Sequence, residues 1–454
     1  MDIKTVVNNY QQELIDKLSD LVSVNSEAGT PLPDAPFGAG PRDVLIKALA
    51  MLDADGFKTV NLDNYIGYAE WGTGDKTIGI IGHLDIVPAH KEDGWNTDPF
   101  KAEIIDGVMY GRGVADDKGA VVASMIALKA LRDLGVEPKK RIRLIMGTNE
   151  ETGSKGLAYY VEKEGHIDLG FTPDGDFPGV HGEKGMISAV YRSKATNLIS
   201  IQGGTASNIV CRSCRVKVAK NSFSNKKLED YFNNNNLVYT IEEQMDGVQI
   251  MVQGVSAHAS TPQLGVNAIS HALTGLKQAG LQDPFVEFYC SHFGLDTDGT
   301  GLGVKCDDEY GALTLNPGVI HMQDGVIEGT IDIRFPVTMT SSRVLKMMKD
   351  HLEDEGGILE VKHTMEPLYF PIDSPLVSKL LSAYQEVTGD TQTQPMTMGG
   401  GTYAKGIHNC IAFGCAFPNK EYHIHDANER VEVSELLLQA EIYAAAILEL
   451  LEVE

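Results

Sequence analysis

The sequence predicts an α/β fold: a mainly parallel sheet with helices on both faces, interrupted by an inserted two-lobed α+β lid domain. Three observations carry this expectation. Short apolar runs alternate with helix-spaced segments through roughly the first 180 residues, the pattern of a parallel sheet layered by helices. After about Lys184 the strands turn antiparallel in texture. Near Pro371 the α/β texture returns, with Pro367 and Pro371 suited to the exit from an insert. The expected division is one domain in two parts, 1–184 and 371–454, and an inserted domain, 185–370.

The first 24 residues hold no long apolar run and read as an amphipathic helix rather than a signal peptide. Asp43 to Met51 is helical in period. Lys76 to Gly82 is a short apolar run ending at a histidine; Gly119 to Leu134 has helical spacing again. Arg141 to Gly147 and Leu169 to Pro173 read as further strands. In the insert, Gly247 to Gly254 and Ile327 to Phe335 read as antiparallel strands. The segments from Cys214 to Glu243 and from Ile331 to His363 echo each other as strand, turn, helix and strand, which suggests two similar lobes. Pro375 to Thr388 and Ser434 to Leu451 read as closing helices, and a shorter one is expected at Gly265 to Leu276.

Composition narrows the function. A chain of 454 residues with 43% hydrophobic and 22% charged residues is an ordinary globular protein of two or three domains, able to bury a large core without disulfides. Its 63 acidic against 38 basic residues give a formal charge of −25, which argues against nucleic acid and against anionic lipid surfaces. No run approaches the roughly 20 apolar residues that span a bilayer. The six cysteines form no framework and read as reduced thiols of a cytoplasmic protein; Cys211 and Cys214 make one CxxC without a second pair, so they read as strand residues.

Four acidic or histidine clusters stand where apolar strands end. His83 and Asp85 are two apart and face one side of an extended segment, which suits a metal-ligating imidazole beside a carboxylate. Asp116 and Asp117 sit between glycines ahead of a helix, where one could bridge two metals or cap the helix. Glu150 and Glu151 follow a strand directly; one could ligate metal while the other takes a proton from water. Asp174 and Asp176 close the fourth run. Each alone suits a solvated surface better, but four in one half-chain point to a metal site. His423 and His425 lie far downstream, ahead of the last helix. Donors in this number fit two divalent ions sharing carboxylates and imidazoles better than one.

The segments HLDIVP, GWNTDPF, YGRGVADDKG, GTNEETGSKG, FTPDGDFP, GVSAHAS, GGGTYAK and HIHDANE cover almost the whole chain. In that order they resemble the metallopeptidase superfamily of aminoacylases, succinyl-diaminopimelate desuccinylases and carboxypeptidase G. Within it, FTPDGDFPGVHGEKG, GVSAHASTPQLGVNA and the large insert most resemble bacterial dipeptidases of the peptidase V type. The resemblance implies that His83 and Asp174 bind one metal, Glu151 and His425 the other, and Asp116, two residues before Lys118, bridges them. It implies Glu150 as general base, Asp85 as the partner of His83, His258 from the lid as oxyanion contact, and Asn208 and Arg334 around the substrate, Arg334 facing its carboxylate. His423 competes with His425, which is preferred because it precedes the Asn428-Glu429 pair at the family's spacing.

The expected activity is hydrolysis of unblocked dipeptides with two divalent ions, zinc first by affinity order and manganese or cobalt acceptable to so many oxygen donors. An amidohydrolase acting on N-acyl amino acids would share every ligand. A non-catalytic metal-dependent binding protein is the third reading, and Glu150 beside Glu151 speaks against it, since binding alone needs no free base. In dimeric relatives the resemblance implies that a partner lid supplies the histidine. Here the second lobe is expected to take that place, giving an active monomer.

Overall fold

A computed structural model describes residues 2–352 and 359–453. The chain divides into two compact units, 1–182 with 370–454, and 183–369.

In the first unit the sheet runs in the order Lys58–Leu62, Ile66–Trp71, Arg141–Gly147, Thr77–His83, Leu169–Thr172, Cys410–Ala412 and Val180–Glu183. The four central strands, Arg141–Gly147 through Cys410–Ala412, are parallel, and their antiparallel neighbours close the edges. Every residue of Thr77–His83 is buried, which explains why that strand reads as an unbroken apolar run rather than an alternating one. Each fully buried Ile there contributes roughly 1.5–3 kcal/mol. Helix Lys118–Asp133 packs on this sheet and against the closing helix Val433–Leu451, which also contacts Pro375–Thr388. The expected strands and helices of this unit are present within a few residues of their expected ends.

One element differs. The amino-terminal segment is two helices, Ile3–Asn9 and Gln11–Val22. Asp2 caps the first, accepting from the Thr5 amide at 2.8 Å. The Tyr10 amide donates to Val7 O at 2.9 Å and ends that helix, while its carbonyl accepts from Leu14 N at 2.8 Å and starts the next. The Lys129 ammonium lies 4.9 Å from the Tyr10 ring centroid, and its hydroxyl bonds Asp133. A tertiary anchor therefore overrides the continuous amphipathic pattern.

The second unit is built on one antiparallel sheet, in the order Val238–Gln244, Gly247–Gln253, Ser213–Val218, Ser200–Gly203, Thr314–Gln323, Val326–Phe335, Gly185–Ser193 and Leu359–Met365. Leu228, Phe232, Leu273, Tyr289, Phe293 and Ile331 belong to its own core. The two echoing segments fold as strand, helix and strand: Ser213–Val218, Asn225–Asn234, Val238–Gln244, and Val326–Phe335, Ser341–His351, Leu359–Met365. Their positions in the sheet mirror each other. In both, the opening strand is third from an edge and the closing strand is the edge itself. The lobes are halves of one sheet.

Among the described residues, no helix is long and apolar enough to cross a membrane. All six cysteines are free thiols.

Candidate metal centre

Three neighbouring parallel strands deliver His83, Glu150 with Glu151, and Asp174, while Asp116 comes from the loop before helix Lys118–Asp133 and His425 from the loop before Arg430–Glu432. His83 ends its strand opposite Gly147, the last residue of the next one, and Glu150 and Glu151 follow three and four residues later. Asp174 follows Leu169–Thr172, the neighbour on the other side. Ligand sites in such sheets lie beyond the carboxyl ends of the strands. Gly147 is required by close approach: a Cβ there would stand 2.0 Å from the Tyr403 hydroxyl.

Asp116 stands between two imidazoles. One carboxylate oxygen is 2.9 Å from His83 Nε2 and the other 3.0 Å from His425 Nε2. His425 Nε2 is also 3.1 Å from Glu151 Oε1, and His83 Nε2 is 3.9 Å from Asp174 Oδ2. Donor atoms of His83, Asp116 and Glu151 lie within 4.8 Å of one another, as do those of His83, Glu150 and Asp174. His423, the competing histidine, turns elsewhere: its Nδ1 is 3.3 Å from Ala427 O and its Nε2 3.4 Å from Glu421.

Two supporting contacts differ from the expected arrangement. His83 Nδ1 donates to the backbone carbonyl of Asp85 at 3.0 Å, while the Asp85 carboxylate lies 3.7 Å away. That carboxylate instead accepts the backbone amides of Glu150 and Glu151 at 3.0 and 3.1 Å. Extended geometry correctly put residues 83 and 85 on one side, but the two amides offer the carboxylate charge better-aligned donors. Asp117, the unchosen acid of its pair, accepts the His83 amide at 3.0 Å and so holds the strand end.

Carboxylates outnumber nearby cations, and the titration of the site reflects it. Burial alone would lower His83, but Asp116, Asp85 and Asp174 outweigh it and hold the imidazole well above its usual range. His425 is likewise pushed up to about 11: burial opposes the charged form, and Asp116 and Glu151 prevail. Burial would raise Asp116, yet its bonds to His425 and His83 keep it below the carboxylate range. Burial, reinforced by Asp174, pushes Glu150 well up, and burial raises Asp85 despite His83. Two imidazoles and several carboxylates of hard and borderline character suit divalent cations, which bind such groups in competition with protons.

Asn208, His258 and Arg334 lie in the second unit and form one neighbourhood there. The Ala259 amide donates to Asn208 O at 2.9 Å, beside the exposed His258, whose Nδ1 is 2.7 Å from Ser260 Oγ. Thr314 Oγ1 donates to Ala259 O at 3.1 Å and is the cross-strand partner of Arg334. Arg334 is buried and makes a two-pronged pair with Asp332, at 2.6 and 3.0 Å.

Sequence reasoning missed Glu429 and Arg112. Glu429 is fully buried and bonds the backbone of the Asp116 loop and the Arg112 guanidinium, across 317 residues of sequence. Nothing local marks such a pair; the only signal was an acid next to the HIHDAN motif and an arginine between loop glycines.

The profile of peptidase family M20/M25/M40 matches residues 79–449. YtjP of Bacillus subtilis is 34% identical, covering 97% of this chain and 99% of its own. A Beta-Ala-Xaa dipeptidase of Lactobacillus delbrueckii subsp. lactis is 32% identical, covering 99% of this chain and 98% of its own. The fold is also that of human carnosine dipeptidase 1, with a TM-score of 0.60 at 18% identity, covering 99% of this chain and 98% of that one. Profile and relatives span both units, so this chain belongs to peptidase family M20/M25/M40.

Proposed function

We propose that this protein is a dinuclear metal-dependent dipeptidase acting on unblocked dipeptides. The observation that carries the reading is the Asp116 carboxylate, with one oxygen on His83 and the other on His425, beside the free acid Glu150. The family and the relative named as a dipeptidase support it. His83 and Asp174 would hold one divalent ion, Glu151 and His425 the other, with Asp116 shared. Such ions, zinc before manganese or cobalt, supply Lewis acidity that polarises a carbonyl and acidifies water.

The chain's own residues supply the rest. Glu150 takes the proton of the attacking water and delivers it to the leaving amine. Asp85 fixes Glu150 by its backbone amide, so the base is aimed from a rigid strand end. His258 is assigned the oxyanion contact and Arg334 the substrate carboxylate, with Asn208 beside them. We assign the enzyme to the cytoplasm as a monomer that completes its own site.

The test is a substrate panel with metal control. Free dipeptides should be cleaved, chelation should abolish the activity, and zinc should restore it. Cleavage confined to N-acyl amino acids would replace the dipeptidase reading with the amidohydrolase one. Amidating the carboxyl end of a good dipeptide should lower kcat/KM strongly; an unchanged value would remove Arg334 from its role. Mixing inactive His258→Ala with inactive Glu150→Gln should give no activity, and restored activity would overturn the self-complete monomer.

A further inference from the structure

The loop carrying Asp116 and the loop carrying His425 are joined by one buried side chain. Glu429 accepts the Gly113 amide at 3.1 and 3.0 Å, the Ala115 amide at 2.9 Å and the Asp116 amide at 3.1 Å. Its second oxygen also takes Arg112 Nη1 at 2.7 Å, and Arg112 Nη2 donates to Asp426 O at 3.2 Å. The Glu429 carbonyl accepts the Gly111 amide at 3.1 Å. Gly113 has φ +89°, a conformation that turns its amide toward the same carboxylate as its neighbours'. Glu429 and Arg112 are 0% and 3% exposed at their side chains, and the Trp95 ring lies 5.2 Å from the guanidinium. A buried carboxylate with three backbone donors and an arginine is a rigid node, because each of its bonds is charge-assisted.

We infer that Glu429 and Arg112 form a clasp that sets Asp116 and His425 in mutual register and thereby builds the second metal position. The inference rests on the proposed dinuclear site. His425 lies four residues before Glu429, and Arg112 holds the intervening Asp426 carbonyl, so the clasp fixes both sides of the 3.0 Å Asp116–His425 contact. His83 has separate supports, from Asp117 to its amide and from the Asp85 carbonyl to its ring. Loosening the clasp should therefore weaken the position at His425 and Glu151 much more than the one at His83 and Asp174, which shares Asp116 but keeps its own supports. Both residues are positioning residues that act through the ligands.

The experiment is zinc titration of metal-free full-length protein against a chromophoric chelator, with melting curves of the same samples before metal is added. Wild type should bind two ions. Glu429→Gln keeps the shape but removes the charge, and should bind the second ion about 10–100-fold more weakly, the range for residues that support metal ligands, and the first with a much smaller loss. Arg112→Lys keeps the charge but cannot span Glu429 and Asp426 O together, and should split the two affinities in the same direction by less. Should Glu429→Gln fail to fold, Arg112→Lys carries the test alone. Two ions bound with unchanged affinity in the folded variants would overturn the clasp. So would an equal loss at both positions accompanied by a lower metal-free melting temperature, which marks a general fold defect. Wild type binding no divalent ion would instead overturn the proposed function.

Discussion

Two buried charge clusters, one in each unit, are handled in opposite ways. In the inserted unit, Asp332 and Arg334 close on each other with two bonds on a single strand, so the charge is balanced within the chain. In the first unit, Asp85, Asp116, Glu150, Glu151 and Asp174 converge on two imidazoles and favour their charged forms against burial. That pair needs no metal to balance it. The open cluster is charge-deficient and has its chemistry completed by cations from outside.

The comparison is sharpest at Glu150. Removing a charge from the open cluster should destroy chemistry and spare the fold. Glu150→Gln should lower kcat by about 10²–10⁴-fold, the contribution of a positioned general base, with metal content and melting temperature held. Activity within about tenfold of wild type would show that Glu150 is not the base.

A second contrast sets Asp116→Ala against Asp332→Ala. The first should lose bound metal, more than His425→Ala does, and with it the stabilisation that metal gives the folded state. The second should leave metal binding intact but cost about 3–5 kcal/mol of stability in chemical denaturation, because the buried Arg334 loses both of its bonds to Asp332. Metal loss in both, or in neither, would dissolve the distinction between the units.

The smallest effect is a pH slope. His425 is raised to about 11 in the metal-free fold, against a model-peptide value near 6.5. The folded state then binds the extra proton between these values, so metal-free stability should fall as pH rises through that window. Its side chain is 54% exposed, and solvent screening keeps this slope shallow. Metal must displace the same proton, so zinc affinity should rise with pH, by up to about tenfold per unit per proton released. Calorimetry in two buffers of different ionisation enthalpy measures that release; a result independent of buffer would mean the imidazoles are not the ligands.

Much of this was legible in one dimension because strand ends are local features. An apolar run stopped by His83, by Glu150 and Glu151 or by Asp174 announces both the strand and the ligand, and the parallel sheet then aligns three such ends. What escaped depends on partners distant in sequence. Tyr10 breaks a continuous helical pattern because Lys129 and Asp133 hold it. Asp85 was paired with the imidazole by spacing, whereas the amides of Glu150 and Glu151, 65 and 66 residues away, claim its carboxylate. Glu429 reads as one acid in an acidic chain until folding sets it against the Asp116 loop.

The order of the proposed ligands along the chain has a consequence for synthesis. His83, Asp116, Glu151 and Asp174 precede the insert, while His425, the strand Cys410–Ala412 and the helix Val433–Leu451 follow it. At about 5–20 residues per second, translating an insert of roughly 190 residues separates the two halves by about 10–40 seconds. During that interval the Leu169–Thr172 edge of the parallel sheet lacks its neighbour and the acidic cluster lacks its last imidazole. Any nascent chain that stops short of residue 425 thus carries the proposed base Glu150 without the complete set of proposed ligands. The first unit is in effect a lock whose final tumbler arrives last, so that hydrolytic competence is coupled to completion of the chain.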